Sequence, residues 1–413
     1  MSYCYRVKMR SVFPNIRHMR VFVAAADTGS VSAAADRCHL SQPAATQAIT
    51  QLEKNLGVTL IIRRRQQFSL TIYGEIFQQR AEAALQFLEN GALAAQRIGG
   101  VTNRNKFSFD RFVTFAQIRN LIAIANTGSF TVAAQTLNLS QPTVQRAARS
   151  LEAISGLSFF MARQSGVTLT LAAESFLQGA KLALSEVRQA LEEISFELSE
   201  NKGLFVLGTM PLARTSIVPR AVNELVKSTN NFQIKLIDGR YSELLKSLRE
   251  GDIDCLIGAL RFPLPADDII QKPIFEDALV VVAHPNHPLS NKVNPTLDDA
   301  LEFPWVAPPK ETPAGQFLFE TLKINELDQT PVRIVSSSLI TLRGILAEGN
   351  YISVISRHQI RVEEKLGAIK VLDIPLKSQY RTIGLTFRKG WRPTKTQEKF
   401  IELLYKHGEK ESL

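Results

Sequence analysis

Cysteine is scarce: 413 residues carry three, Cys4, Cys38 and Cys255, too scattered for a disulfide framework and without metal-ligand spacing. Such usage fits a reducing compartment. Long apolar runs are missing too. No stretch approaches the ~18 consecutive apolar residues that a spanning helix needs. The opening MSYCYRVKMRSVFPNIRH alternates basic and apolar residues without the continuous apolar core of a secretory signal. The expectation is a cytoplasmic protein with no membrane partner. Catalytic signatures are also absent: there is no G-x-S-x-G elbow, no G-x-x-x-x-G-K-[ST] phosphate loop and no G-x-G-x-x-G after a strand. His284 and His287 flank Pro285 in a turn rather than sharing a helical face, so no metal is expected there. Asp252 and Asp254 alternate at the start of a buried strand and read as capping or solvated groups. No enzyme, cofactor or metal is expected.

What is present is ordinary globular material, 45% hydrophobic and 21% charged, with a formal net charge of +10. Its placement is uneven. Residues 1–163 hold 19 basic and 8 acidic side chains, a balance of +11, and residues 164–413 hold 30 and 31, a balance of −1. Clustered Lys and Arg are what phosphate neutralisation requires, so a polyanion-binding head on a near-neutral body is implied.

The basic half contains a repeat. Shifted by 99 residues, 18–71 aligns without a gap on 117–170. T-G-S at 28–30 returns at 127–129, Ala34-Ala35 as Ala133-Ala134, L-S-Q-P at 40–43 as 139–142, and Leu52-Glu53 as Leu151-Glu152. Gly57, Arg64, Leu70 and Thr71 match Gly156, Arg163, Leu169 and Thr170. So many identities in one register mark a duplication.

Each copy reads as three helices and a hairpin. In the first, T-G-S stops one helix, Ala34 and Ala35 allow the second to approach closely, and Ser41 caps the third with Pro43 in its first turn. Ile49, Leu52 and Leu56 recur on one face until Gly57 ends it. Two short strands, 60–63 and 68–71, flank an arginine tip, Arg63-Arg64-Arg65. The pattern is a winged helix-turn-helix, whose second helix fits the major groove of double-stranded DNA while the wing touches phosphates. Ala148 replaces Ile49 in the second copy, a smaller core contact, and Arg149 adds charge.

At these residues a family becomes visible: A-A-x-x-x-x-L-S-Q-P, then Leu52-Glu53, Gly57 and Arg64, resembles the winged helix of LysR-type transcriptional regulators, and the second copy resembles it again. That family normally carries one such head. The resemblance implies that Gln42, Pro43, Thr46 and Gln47, and Gln141, Pro142, Gln145 and Arg146, contact bases. Ser41 and Ser140 at the helix starts and Arg63, Arg64 and Arg163 on the wings complete the expected DNA-binding set. Gln suits adenine and Arg suits guanine, so the heads should prefer different half-sites. Helical segments follow each wing, 72–98 and 171–200, around a polar connector at 99–110. Ile76, Ala83, Phe87 and Ala94 are expected on one face of the first, with Arg80 elsewhere; Phe176, Leu177, Leu184, Val187, Leu191, Ile194 and Leu198 stripe the second. In the family such helices pair antiparallel between subunits, which implies a homo-oligomer. Two in one chain permit an internal pair instead.

From Gly203 strands alternate with helices, as in a parallel α/β domain. ELLKSLREGDIDCLIG and IFEDALVVVAHPNHPL resemble the family's effector-binding domain, two-lobed and similar to periplasmic binding proteins. The expected fold is therefore α/β with all-α heads: winged helix-turn-helix domains at 17–71 and 111–170, lobe I at 203–281 and 374–404, and lobe II at 282–373. Ligands bind such sheets in the cleft at strand carboxyl ends. The candidate lining is Thr209, Met210 and Pro211 with Arg214, then Arg240 and Tyr241, then Gly258 and Ala259, and across the cleft Ser336, Ser337 and Ser338. Two arginines and a serine run suit an anionic small-molecule effector; the alternative is that both face solvent or form ion pairs. A ligand-responsive regulator accounts for both halves, with an effector-independent repressor carrying a non-functional pocket as its alternative and RNA polymerase an open partner. A periplasmic solute-binding protein accounts for the second half alone.

Overall fold

The computed structural model describes residues 13–64, 67–101, 108–164, 166–327, 330–376 and 380–409. It divides into two compact units, Met1–Leu204 with Glu250–Asp252, and Phe205–Arg249 with Ile253–Leu413.

In the first unit one scaffold occurs twice. Helices α1 (Ile16–Thr28), α2 (Val31–Arg37) and α3 (Gln42–Leu56) precede strands β1 (Ile61–Arg64) and β2 (Gln67–Leu70) and the long α4 (Ile72–Ile98). Then α5 (Phe115–Thr127), α6 (Phe130–Leu137), α7 (Gln141–Ser155), β3 (Phe160–Arg163), β4 (Gly166–Leu169) and α8 (Leu171–Glu197) repeat that order. The repeated identities are scaffold positions. Thr28 and Thr127 return their hydroxyls to the carbonyls of Ala24 and Ala123, and Gly29 and Gly128 then turn left-handed at φ 64° and 63°. The Glu53 carboxylate accepts the backbone N–H groups of Leu60 (2.8 Å) and Ile61 (3.2 Å); Glu152 does the same for Phe159 (2.8 Å) and Phe160 (3.3 Å). Each glutamate thereby ties its third helix to its wing. Thr71 and Thr170 close the wing on the carbonyls of Thr59 and Ser158 and cap the long helix by accepting from Gly74 and Ala173.

The cores differ. Ile49, Leu52 and Phe22 of the first head join a continuous cluster that runs through both long helices, whereas Ala123, Ile124, Ala133, Ala134, Val144 and Ala148 form a small separate core in the second. The long helices α4 and α8 pack on each other within the chain. The buried face of α4 is not the stripe that periodicity suggested. Ile76, Ala83, Phe87 and Ala94 are only half-buried, and Gly74, Phe77, Arg80, Ala81, Ala84, Leu88, Gly91, Ala92 and Ala95 are buried. Small residues let the backbones approach, so hydrophobicity misplaces the seam by about one position. In α8 the expected stripe holds in part: Phe176, Leu177, Val187 and Ile194 are buried, but Leu184 and Leu191 are half-buried and Leu198 exposed, while Gly179, Ala183, Glu186, Gln189 and Ala190 are buried as well. Arg80 is thus buried rather than on an outer face. The polar connector also ends in a core: Phe109 packs against Phe159 and Phe176, at 6.2 and 4.9 Å between ring centroids, and Asp110 pairs with Arg20.

The second unit is a sheet of nine strands with helices packed on it. Its elements are β5 (Gly203–Thr209), α9 (Ile217–Ser228), β6 (Phe232–Asp238), α10 (Tyr241–Glu250), β7 (Cys255–Ala259), β8 (Ile269–Ala283), α11 (Leu297–Leu301), β9 (Trp305–Ala307), α12 (Pro313–Gln316), β10 (Val332–Val335), α13 (Leu339–Glu348), β11 (Ile352–Ser356), α14 (Arg361–Lys365), β12 (Lys370–Val371), β13 (Tyr380–Arg388) and α15 (Lys395–Glu409). Spatial order is β10-β9-β11-β8-β13-β7-β5-β6, with β12 also on β8. The pivot is β8. Residues 269–278 of it pair with β13, residues 279–283 pair with β11, and separate apolar cores lie on the two sides. One strand therefore belongs to both lobes. Asp254 is neither a cap nor solvated: it is buried at the start of β7, where its carboxylate accepts from Val206 N at 2.8 Å.

Candidate nucleic-acid interface and effector cleft

The third helix of each head begins on a serine with extended backbone whose hydroxyl takes an otherwise unpaired N–H: Ser41 accepts from Ala44, Ser140 from Thr143. Proline follows two residues on, where its missing N–H costs nothing. Burial then separates the faces. Ala45, Ala48, Ile49 and Leu52 face the core of the first head, leaving Gln42, Pro43 and Gln47 exposed and Thr46 half-exposed on one outer face that Thr50 and Gln51 extend. In the second, Val144, Ala148, Leu151 and Ser155 turn inward. Gln141, Pro142 and Arg146 are exposed and Gln145 half-exposed. The four candidate reading residues of each head thus share one outward face. Gln141 accepts from the Thr131 hydroxyl at 3.2 Å, and the Arg146 guanidinium lies 3.5 Å from the Thr143 hydroxyl. Arg163 is exposed at the end of β3. Arg63 and Arg64 lie in β1, with side chains outside the described set, as is Arg65 altogether.

In the second unit the candidate lining is only partly brought together. Thr209 is buried at the end of β5, and Met210 donates its N–H to the Ile257 carbonyl at 3.0 Å. The Met210 side chain covers Gly258, where a Cβ would fall 2.4 Å from Met210 Cγ. Pro211–Arg214 form a single 3-10 turn that sends the Arg214 guanidinium back to the Thr209 carbonyl at 2.7 Å, with Asp238 3.6 Å away. Burial lowers the Arg214 pKa, opposed by Asp238. Arg214 is therefore an ion-paired brace, and Arg240 is an exposed residue before α10. Ser338 caps α13 by accepting from Thr341, Ser336 donates its N–H to the Ala307 carbonyl, and Ser337 is exposed.

The cationic group overlooked in the sequence is Arg261, whose guanidinium stands 4.8 Å over the Tyr241 ring. Burial lowers its pKa, the nearby Tyr241 opposes this, and the like charge of Arg381 adds to it. Tyr241 Oη and Gln271 Nε2 are buried beside it, next to each other. Arg261 lies just past the end of β7, so the strand-end rule that selected Ala259 reaches it when extended by two residues. Asp277 was equally invisible. It is fully buried where β8 passes from one lobe to the other and bonds Ser356 Oγ (2.8 Å), His358 Nδ1 (3.0 Å) and Arg381 Nε (2.8 Å). Burial alone would raise its pKa; the bonds from His358 and Arg381 outweigh it and hold the carboxyl below its ordinary value. His287 packs on Phe303 at 4.4 Å with Nδ1 accepting from Leu289 N. Among the described residues no His, Cys, Asp and Glu group could hold a metal, and no helix is long and apolar enough to cross a membrane.

Residues 16–75 and 115–174 each match the bacterial regulatory helix-turn-helix protein, lysR family, and residues 198–409 match the LysR substrate binding domain. The chain belongs to the LysR family. It is a DNA-binding transcriptional regulator with a substrate-binding domain, not an enzyme. Relatives include the HTH-type transcriptional regulator GalR of Pseudomonas putida, 28% identical over 91% of this chain and 93% of that protein. PcaQ of Agrobacterium fabrum is 25% identical over 69% of this chain and 92% of its own. The fold is shared with a full-length OxyR variant from Pseudomonas aeruginosa, at TM-score 0.52 and 21% identity over 72% of this chain and 94% of that one. It is shared also with full-length CbnR bound to its target DNA, at TM-score 0.51 and 19% identity over 71% and 100%. Under three quarters of this chain covers these two solved regulators almost completely, whereas GalR of Pseudomonas putida aligns along nearly the whole of both chains.

Proposed function

We propose that this LysR-type regulator reads one asymmetric DNA site with two unlike heads and responds to a small anionic effector held beside Tyr241 and Arg261. The observation that carries the first part is the divergence of Thr46-Gln47 to Gln145-Arg146 on outward faces of helices that share the serine cap, Gln-Pro start and Leu-Glu pair. Ser41, Arg63 and Arg64, and Ser140 and Arg163, would then supply shared backbone and wing contacts, and Gln42, Pro43, Gln141 and Pro142 base contacts common to both heads. Phosphate contacts position the protein, and the two divergent residues discriminate bases. For the effector, the support is an arginine in a half-buried site beside the Tyr241 hydroxyl and the Gln271 amide, donors from which a ligand carboxylate would accept. Thr209, Met210 and Ser336–Ser338 would shape the cleft. Ligand that favours one arrangement of the lobes about β8 would shift the regulator between states.

DNA selected from a random pool by the purified full chain should yield a non-palindromic site; a perfect dyad with equal half-site affinities would refute the two-reader reading. A thermal-shift panel of small carboxylates, amines and neutral analogues should single out carboxylates, with the response lost in Arg261→Ala. Operator binding indifferent to every compound would instead support the effector-independent repressor.

A further inference from the structure

The correspondence that superposes the heads continues through α4 and α8, both 27 residues long. At the same shift Arg80 answers to Gly179 and Gly91 to Ala190, while Glu186, Gln189 and Glu193 answer to Phe87, Asn90 and Ala94. The antiparallel seam therefore has two pseudo-equivalent crossings, and they are built differently. At one, Gly91 and Gly179 meet backbone to backbone: a Cβ on Gly179 would fall 2.9 Å from Gly91 Cα and 2.5 Å from the Phe87 carbonyl oxygen. At the other, the Arg80 guanidinium bonds Glu186 at 2.9 Å, Gln189 at 2.7 Å and Glu193. The Arg80 side chain is 4% exposed and that of Glu186 9%. Burial opposes the Arg80 charge, and the bonds to Glu193 and Glu186 outweigh it.

Homotypic pairs in this geometry would be mismatched. Two α4 helices would each bury Arg80 against Phe87, Asn90 and Ala94, with no carboxylate. Two α8 helices would bring Glu186 and Glu193 together from both sides, with glycine standing where the Arg80 guanidinium is needed and with Lys181 and Arg188 already paired to Glu250, Asp252 and Glu192. A buried charge without its partner is strongly destabilising, and such repulsive elements are how interfaces reject wrong partners. The connector acts in the same direction. Residues 99–108 are the only chain between α4 and the anchored Phe109, and a short tether keeps its ends at roughly millimolar effective concentration.

We propose that the charge and size asymmetry of this seam is a pairing code: α4 accepts an α8 and rejects a second α4, and the short connector makes that α8 the one of its own chain. One chain then closes its own DNA-reading pair in a fixed polarity, and copies associate through other surfaces.

The test uses the full chain. Arg80→Glu adds a carboxylate to two others, and its Tm should fall on the order of 10 °C. Combining it with Glu186→Arg and Glu193→Gln should recover most of that loss. A mixture of the Arg80→Glu chain with the Glu186→Arg, Glu193→Gln chain should recover nothing, because each α4 stays with its own α8. An unchanged Tm in Arg80→Glu, or recovery on mixing, overturns the proposal. Should the swapped chain not fold, Arg80→Gln and Glu186→Gln with Glu193→Gln form a double-mutant cycle, in which losses smaller in combination than in sum support the code and additive losses overturn it. Thermal readouts need no DNA, so failure of the proposed DNA reading leaves this result interpretable, and the reverse.

Discussion

Exchanging the reading residues of one head for those of the other isolates specificity from folding. In the double variant Gln145→Thr, Arg146→Gln, the second recognition helix acquires the two side chains that occupy these positions in the first. Arg146 is exposed and Gln145 half-exposed, and neither belongs to the small core of Val144 and Ala148. Arg146 makes a long contact, 3.5 Å to the Thr143 hydroxyl. Stability should therefore change by no more than about 0.5 kcal/mol, the usual range for surface substitutions. Binding should change far more. A bidentate arginine–guanine contact discriminates by ~1–3 kcal/mol, equivalent to about 5- to 150-fold in affinity. That loss should fall on the half-site read by the second head alone. The assay is a fluorescence-anisotropy titration, at fixed salt, of the selected operator and of versions with either half-site duplicated. The variant should lose affinity for the native site and for a duplicated second half-site, and gain relative preference for a duplicated first half-site. Equal weakening on all three DNAs would show that Arg146 contacts phosphate rather than bases and would refute the two-reader reasoning.

Three further outcomes are expected. Glu152→Ala strips two wing N–H groups of their acceptor, so the Tm should fall by an amount equivalent to about 1–3 kcal/mol in thermal unfolding, with Glu152→Gln recovering part. Gly179→Ala should lower Tm more than Gly91→Ala, because its Cβ would meet the Phe87 carbonyl oxygen at 2.5 Å whereas the nearest atom at Gly91 is 3.1 Å away; equal effects would contradict the close crossing. Asp277 has a folded pKa below its unfolded value, so its contribution is present above about pH 4 and is lost as pH falls through the depressed folded pKa. Asp277→Asn leaves Arg381 without its counter-charge, should cost about 3–5 kcal/mol at neutral pH, and should flatten that part of the acid limb in pH-dependent unfolding.

The scaffold was legible because its requirements are local. A left-handed turn at Gly29, a serine cap at Ser41 and a glutamate reaching seven residues ahead to a wing strand are satisfied within a few residues, so their side-chain identities recur wherever the motif recurs. Reading residues were located by the family resemblance, and two of the four positions, Thr46-Gln47 against Gln145-Arg146, differ between the copies. Arg214 shows where this reasoning ends: its position after β5 was evident, but whether its guanidinium faces a ligand or folds onto Thr209 and Asp238 depends on the next strand, β6, coming alongside. Arg261 and Asp277 acquire meaning only when β7, β8 and β13 lie side by side.

By itself the sequence determined that a basic winged head occurs twice, that a near-neutral α/β body follows, and where the third helices and long linkers begin. Caps, turns and periodicity act over a few residues, and identity at a constant shift needs no coordinates. Tertiary structure alone decided which face of α4 is buried. Hydrophobicity points to Ile76 and Phe87, but two glycines bring the backbones together one position away, and the buried Arg80 there is stabilised only because Glu186, Gln189 and Glu193, more than a hundred residues later, are brought to meet it.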